Sequence, residues 1–270
     1  MSFSRVLILG CGYAGLRVLR LARSRALPVS ATLRSREREA ALRAEGAEVL
    51  VASRLGADIE SLLGADARVV VAFPANPETD DWLAPRLARA HSVVYISSTG
   101  VYGEQRGRVD DGTPLSAAVD ARVRKLRAAE DTYRAAGACV LRCPAIYGPD
   151  RGLHVRVLRG EHRIPGDGSH YLSRVHAEDL AQFALSESAR AGECFVVGDL
   201  DPAPHIDVVR FICSSYGVAL PASAPLESLH ASLRADRAVD ASRALEQLGV
   251  TLRFPSYRQG MAPEVTGLRA

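Results

Sequence analysis

Lysine is nearly missing from this chain: Lys125 is the only one among 270 residues, and the basic charge is otherwise carried by arginine. With alanine so abundant, this reflects a GC-rich coding bias, so arginine as such is no sign of a phosphate ligand. Charge of one sign is also lacking. The 34 basic and 31 acidic residues leave a net +3 spread along the chain, with no basic block and no aromatic-interleaved patch, which argues against a nucleic-acid partner. Cys11, Cys139, Cys143, Cys194 and Cys213 form no CxxC pair, and no histidine stands at ligand spacing. Neither a disulfide framework nor a metal site is expected. Buried thiols of a reducing compartment remain, and the expected location is the cytoplasm. Long apolar runs are absent too. The run at 6–9 passes straight into glycines, too short for a leader or a membrane span, and nothing later reaches spanning length, so no membrane partner is expected. No internal repeat, low-complexity tract or long linker breaks the chain.

What is present is alternation. Short β-branched runs at 5–9, 29–33, 48–51, 68–72, 92–97 and 138–142 are separated by amphipathic stretches at 13–24, 36–45, 59–63, 79–90 and 120–136. Strands that are apolar throughout, each followed by a helix, predict a parallel sheet covered on both faces: an α/β, doubly wound Rossmann-type fold. After Gly148 the pattern loosens into a helix at 153–159, a Pro/Gly loop at 164–168 and a strand at 171–175. A helix at 177–189 and a strand at 194–197 then rejoin the sheet. Residues 1–150 read as the dinucleotide-binding unit, with 177–198 returning to it; 151–176 and 199–270 read as a smaller, C-terminal substrate lobe.

Gly10-Cys11-Gly12-Tyr13-Ala14-Gly15 is a G-x-G-x-x-G placed directly between the first strand and the first helix. In this context the first glycine permits the turn, the second lets backbone approach a pyrophosphate, and the third lets helix and strand pack closely. The helix N-terminus then offers amides and partial positive charge to the phosphates. The second strand ends in Thr32-Leu33-Arg34-Ser35-Arg36, where an NAD-binding chain usually carries a carboxylate for the ribose hydroxyls. Arg34, helped by Ser35 and Arg36, suits a 2′-phosphate instead. The expected cofactor is therefore NADP, with NAD the alternative. Phe73 and Pro74, after the fourth strand, are placed to line the same groove.

Three further segments carry a resemblance. Tyr95-Ile96-Ser97-Ser98-Thr99-Gly100-Val101-Tyr102-Gly103 is similar to the SS-x-x-VYG segment of the extended short-chain dehydrogenases. Leu141-Arg142-Cys143-Pro144-Ala145-Ile146-Tyr147-Gly148-Pro149-Asp150-Arg151 is similar to their LR-x-x-x-IYGP-x-R segment. Ser173-Arg174-Val175-His176-Ala177-Glu178-Asp179-Leu180-Ala181 resembles their R-x-H-x-x-DLA segment. In order and together, these segments resemble the NAD-dependent epimerase/dehydratase-like short-chain dehydrogenases, particularly the shorter, atypical branch.

The resemblance implies hydride transfer at the nicotinamide, with a Ser or Thr hydroxyl holding the reacting oxygen and a Tyr–Lys pair moving the proton. Ser98 falls at the hydroxyl position, with Ser97 beside the cofactor and Thr99 beside the substrate. Pro144, Ala145 and Ile146 would pack against the nicotinamide, and Arg174 and His176 would face the substrate. Helices 79–90 and 120–136 are those through which relatives pair, so a homodimer is a possible partnership.

The Tyr is missing. Lys125 fits the Lys of Y-x-x-x-K, but Ala121 stands four residues before it. Aligning on Glu130 instead puts Arg122 at the Tyr position and Leu126 at the Lys position. Lys125 is a candidate for the nicotinamide ribose, and Tyr102, Tyr147 or His176 for a substitute acid; a substrate that needs little acid catalysis is another outcome, since a positioned acid is worth about 10²–10⁴-fold. His154, His162, His170, His205 and His230 read as surface or lobe residues. The leading expectation is an NADP(H)-dependent oxidoreductase acting on a small polar carbonyl, alcohol or imine. A non-catalytic NADP(H) sensor or scaffold and a sugar-nucleotide epimerase or dehydratase are the alternatives.

Overall fold

The computed structural model describes residues 3–115, 117, 120–226 and 235–269; His230 lies outside them. The main sheet is built from β1 (Arg5–Leu9), β2 (Val29–Leu33), β3 (Glu48–Val51), β4 (Ala67–Val71) and β5 (Ser92–Ser98). After the small strand β6 (Gly107–Val109) it continues with β7 (Cys139–Cys143). Short strands β8 (Ala145–Tyr147), β9 (Ile164–Pro165), β10 (Tyr171–Leu172) and β11 (Arg174–His176) follow. The seventh sheet strand is β12 (Cys194–Val196), and β13 (Ala203–Pro204), β14 (Ser223–Ala224) and β15 (Arg237–Val239) complete the set.

The spatial order is β12-β7-β5-β4-β1-β2-β3, and every neighbouring pair is parallel. This is a doubly wound sheet. The chain reverses its winding between β1 and β4, which opens a crevice beyond their carboxyl ends. Alternation within each strand feeds two cores. Val6 and Ile8 of β1, Val70, Val94 and Leu141 point to one face; Leu7, Leu9, Val69, Val71, Tyr95 and Val140 point to the other. Helices α1 (Tyr13–Ser24), α2 (Glu39–Ala44), α3 (Pro77–Leu83), α4 (Ala121–Ala135), α5 (Leu153–Leu158) and α6 (Ala177–Ala184) come before the C-terminal region. There α7 (His205–Tyr216), α8 (Ser242–Leu248), α9 (Tyr257–Gly260) and α10 (Pro263–Thr266) follow. The first face is covered by α1 and α6, the second by α3 and α4.

Two expected helices are broken, the first for an identifiable reason. The stretch at 79–90 is α3 followed by a 3₁₀ turn, Ala84–Arg89, because Pro85 cannot donate its backbone N–H to a continuing helix. The stretch at 36–45 opens as a 3₁₀ turn, Arg36–Arg38, before α2. No helix among the described residues is long and apolar enough to cross a membrane.

Helix α4 is fixed from below by charge. Arg142 on β7 reaches both carboxylate oxygens of Glu130, with Nη2 2.8 Å from Oε2, and Ser97 on β5 donates to Oε1 at 2.5 Å. Glu130 is 2% exposed and Arg142 6%, so each charge has lost its hydration and depends on the other. A separate core, of Val157, Ile164, Val208, Ile212, Tyr257 and Met261, holds the C-terminal region together.

Into that core the chain packs histidines that the sequence suggests are superficial. His154, His162 and His205 are buried, and the Nε2 atoms of His162 and His205 lie 2.8 Å apart. Their positions are distant in sequence, so no local pattern announces the cluster.

Two outcomes follow from these contacts. Glu130→Gln, which leaves Arg142 buried without a counter-charge, is expected to lose about 3–5 kcal/mol in urea unfolding, whereas Glu130→Leu with Arg142→Met recovers most of it. Burial lowers His162 from 6.5 to about 4 and His205 to about 3. Between these values the unfolded chain binds more protons than the folded one, so stability falls as pH drops below about 6.5. Melting curves between pH 7.5 and 4.5 should show this decline, with a shallower slope in His162→Gln.

Candidate active site

Everything of chemical interest lies at the carboxyl edge of the sheet. Gly10 leaves β1 at φ +85°, and a Cβ there would stand 2.8 Å from the Cβ of Phe73, on the segment leaving β4. The two strand ends of the winding reversal are therefore packed backbone to side chain, which only glycine allows. A Cβ on Gly12 meets nothing within 4 Å, and one on Gly15 would press on the Gly10 carbonyl oxygen and Ile8 Cγ2 at 3.0 Å. The three glycines thus perform three different tasks: turn, open approach, close packing. Thr32 on β2 accepts from the Gly10 N–H through Oγ1 and from the Cys11 N–H through its carbonyl, both at 2.9 Å, and so holds the loop. Cys11 is buried and its thiol is pushed up to about 11 by that burial, so it is no nucleophile.

Beyond β2, Arg34, Ser35 and Arg36 are exposed. Arg38, which the sequence analysis passed over, reaches back over the loop and donates to the Cys11 carbonyl at 3.4 Å. Its signal was the third arginine of the run. Phe73 is half-buried and Pro74 exposed beside Gly10. On the far side of the crevice Ala145 is exposed, and Pro144 and Ile146 half-buried, where the chain leaves β7.

Tyr13 and Arg17 of α1 both bond Asp150 Oδ1 at 2.9 Å. Gly148 has no room for a side chain, because a Cβ would collide with the Tyr13 hydroxyl. The second resembling segment is thus latched onto the nucleotide helix.

Ser98 ends β5 and caps the following turn: Oγ accepts the Gly100 N–H at 3.0 Å, which leaves the hydroxyl proton free to donate to a ligand. Thr99 is buried within the turn. Ser97 is committed to Glu130 and buried, so its hydroxyl is a structural group. Helix α4 brings Arg122 and Leu126 to this turn: the point at which a Cβ of Gly100 would sit is 3.0 Å from Leu126 Cδ1, 3.2 Å from Ser98 Oγ and 3.4 Å from Arg122 Nη2. Lys125 does not share that face. It is exposed, and its charge acts on Asp80 at the start of α3. The alignment on Glu130 is the one the geometry realises.

The candidate acids fare differently. Tyr102 is wholly buried; its hydroxyl donates to the Asp110 carbonyl at 2.9 Å and accepts from Arg142 Nη1 at 3.1 Å, so it has no proton to offer. Tyr147 is 2% exposed, packs under Gly260 and is held well above the usual phenol range by burial. His176 caps α6 by accepting the Glu178 N–H at 3.3 Å, stacks on Phe254, and is pushed down to about 3 by burial. It is a neutral ring within the protein, not a proton source at neutral pH. Arg174 is buried, donates to the Leu172 carbonyl at 3.2 Å and lies over the Tyr257 ring. Near it Asp199 is raised to about 7 by burial, opposed by the Arg174 charge. No sequence pattern pointed to Asp199.

No family model matches the chain. Among curated proteins it is 26% identical over 241 residues to a 3-diazoavenalumate denitrifying reductase of a Streptomyces species, covering 83% of this chain and 71% of that protein. Among solved structures, a conserved protein of unknown function from Silicibacter pomeroyi DSS is 28% identical with a TM-score of 0.83, over 98% of both chains. A putative NAD-dependent epimerase/dehydratase from Methylobacillus flagellatus is 25% identical with a TM-score of 0.75, again over 98% of both. UDP-glucuronic acid 4-epimerase from Bacillus cereus in complex with NAD, at 15% identity, a TM-score of 0.76 and coverage of 97% and 98%, shares the fold. With the glycine turn at the winding reversal and Ser98 across from it, the chain shares its fold with, and is similar to, solved structures of NAD-dependent epimerase/dehydratase-like proteins.

Proposed function

We propose that this protein is an NADP(H)-dependent reductase that holds a small polar electrophile at Ser98. The observation that carries the reading is the pairing of an open glycine turn at the sheet edge with a serine whose hydroxyl proton is unspent, at a site whose proton-donor position is filled by arginine. The dinucleotide fits the residues present. Gly12 leaves open space where a pyrophosphate would approach, the first turn of α1 carries no acidic side chain, and its Gly12 cap contributes no side-chain hydrogen bond. Arg34 stands where a 2′-phosphate would lie, with Ser35 and Arg36 beside it, which supports NADP over NAD. Bound NADPH supplies hydride from its nicotinamide C4.

The chain's own residues then bind and orient. Ser98 donates to the acceptor's oxygen or nitrogen, and Pro144, Ala145 and Ile146 offer an apolar bed at the end of β7. The region after Gly148, with its own core, serves as the substrate lobe. Tyr102 has spent its proton, Tyr147 is buried beneath Gly260 and His176 is neutral, so none of the three serves as the acid, and a guanidinium keeps its proton at all working pH values. The acceptor is therefore one whose reduction takes its proton from water or needs none. The curated relative's name, a reductase that removes nitrogen from a diazo compound, supports this. When hydride adds to a diazonium carbon, its electron pair forms the C–H bond, the C–N pair leaves with N₂, and no proton is consumed. The five unpaired thiols fit a reducing cytoplasm, where NADPH is at hand.

Three measurements test the assignment. Fluorescence titration should give NADPH at least about ten-fold tighter binding than NADH, with Arg34→Ala erasing the difference, a change of about 1.4 kcal/mol. Gly12→Ala should melt like the parent, because its Cβ enters open space, yet lose nucleotide affinity. In a panel of carbonyls, imines and arenediazonium salts, NADPH oxidation should fall about 10²-fold in Ser98→Ala. Tight NADPH binding with no turnover of any of them would establish a sensor or scaffold instead. Interconversion of a sugar nucleotide without net redox change would establish an epimerase.

A further inference from the structure

The reductase reading leaves the substrate's chemical class open, and α4 supplies it. Arg122 lies at the start of that helix with an exposed side chain, and no carboxylate among the described residues contacts it. Its Nη2 and the Ser98 Oγ both flank Gly100: a Cβ there would stand 3.4 and 3.2 Å from them, with Leu126 Cδ1 at 3.0 Å. A side chain at position 100 would crowd both groups, and glycine leaves them room.

A second cation backs the first. Arg237 on β15 is 9% exposed, and its Nη1 donates to the Gly103 carbonyl at 2.7 Å and, more weakly, to the Gln105 carbonyl at 3.4 Å. Burial lowers the Arg237 pKa, and the Arg122 charge lowers it further, so the two guanidinium groups repel one another across the turn. Around them, Arg127 donates to the Val101 carbonyl at 2.8 and 3.0 Å, and Arg142 is neutralised by Glu130. Lys125 is directed to Asp80. Arg122 and Arg237 therefore bring two guanidinium groups to the turn from Ser98 to Gln105, whose own single carboxylate is Glu104. Positive charge concentrated at a cleft wall raises the local concentration of anions, and a guanidinium binds carboxylate as a two-pronged, charge-assisted donor.

We infer that Arg122, in the place of the absent tyrosine, binds a carboxylate, so that the substrate is a small organic acid anchored there while Ser98 keeps its single O–H for the reacting atom. This rests on the reductase reading for what happens to the acid, but not for its binding. Arg122 is a substrate-binding residue here, not a proton donor.

The test uses the full chain saturated with NADP⁺ and three acid–amide pairs: acetate and acetamide, benzoate and benzamide, cinnamate and cinnamamide. Calorimetry is expected to show at least one acid binding about ten-fold or more tighter than its amide. Arg122→Gln removes that preference, Arg122→Lys keeps part of it, and both variants retain the parental melting temperature and NADP⁺ affinity. The inference is overturned if no acid is preferred over its amide, or if the preference survives in Arg122→Gln. Should NADP⁺ itself fail to bind in the first titration, the nucleotide reading falls. The acid–amide comparison is then made on the chain alone, where the same outcomes decide the carboxylate site.

Discussion

The ion pair between Glu130 and Arg142 sets the geometry from which the rest of the site follows. A helix can turn about its axis with little change in the area it buries, and α4 offers the sheet an arginine-rich surface with no continuous apolar stripe. What selects its rotation is the need to place Glu130 opposite the buried Arg142 and the Ser97 hydroxyl. Once Glu130 faces inward, residues one and two turns away on the same face follow: Leu126 and Arg122 toward the Ser98 turn, Tyr133 into the core beside Tyr95. Lys125, about 100° around the axis from Leu126, is carried to the outside. A structural pair thus determines which side chains of α4 stand beside the Ser98 turn.

The opposite wall of the crevice is determined by backbone. Parallel strands end together at one edge, and the reversal of winding between β1 and β4 leaves a gap there that no crossover covers. Gly10 and Phe73 close the floor of that gap, Thr32 pins the loop from β2, and Asp150 ties α1 to the segment after β8. Asp179, in the first turn of α6, accepts the backbone N–H groups of Arg253 and Phe254 and draws the C-terminal segment onto the same edge. The resembling motifs acquire a physical meaning here: most of their polar residues tie one element to another, and few are left for a ligand.

How much of this was legible in the sequence depends on how local its cause is. The strands of the main sheet could be placed because a strand buried on both faces reads as an unbroken apolar run. The glycine turn was legible because its three glycines serve distinct local constraints within one turn. The rotation of α4 was not. The sequence offered two alignments, on Lys125 or on Glu130, and the arbiter is an arginine on another strand. Likewise His162 and His205, separated by a helix and five short strands, meet only in the folded chain, and Tyr102 loses its availability to Arg142 and to a backbone carbonyl that no motif names. Residues whose roles come from long-range polar contacts are those for which sequence expectation and structure part.

The account stands most directly on where a nicotinamide nucleotide comes to rest. A crystal structure of the full chain grown with NADP⁺ is the decisive measurement. The account requires diphosphate oxygens on the backbone amides of the Gly10–Gly15 turn, the 2′-phosphate at Arg34, and the nicotinamide between Ser98 and the Pro144–Ile146 segment. Crystals without nucleotide at millimolar NADP⁺, or with it lodged away from the gap between β1 and β4, would contradict it.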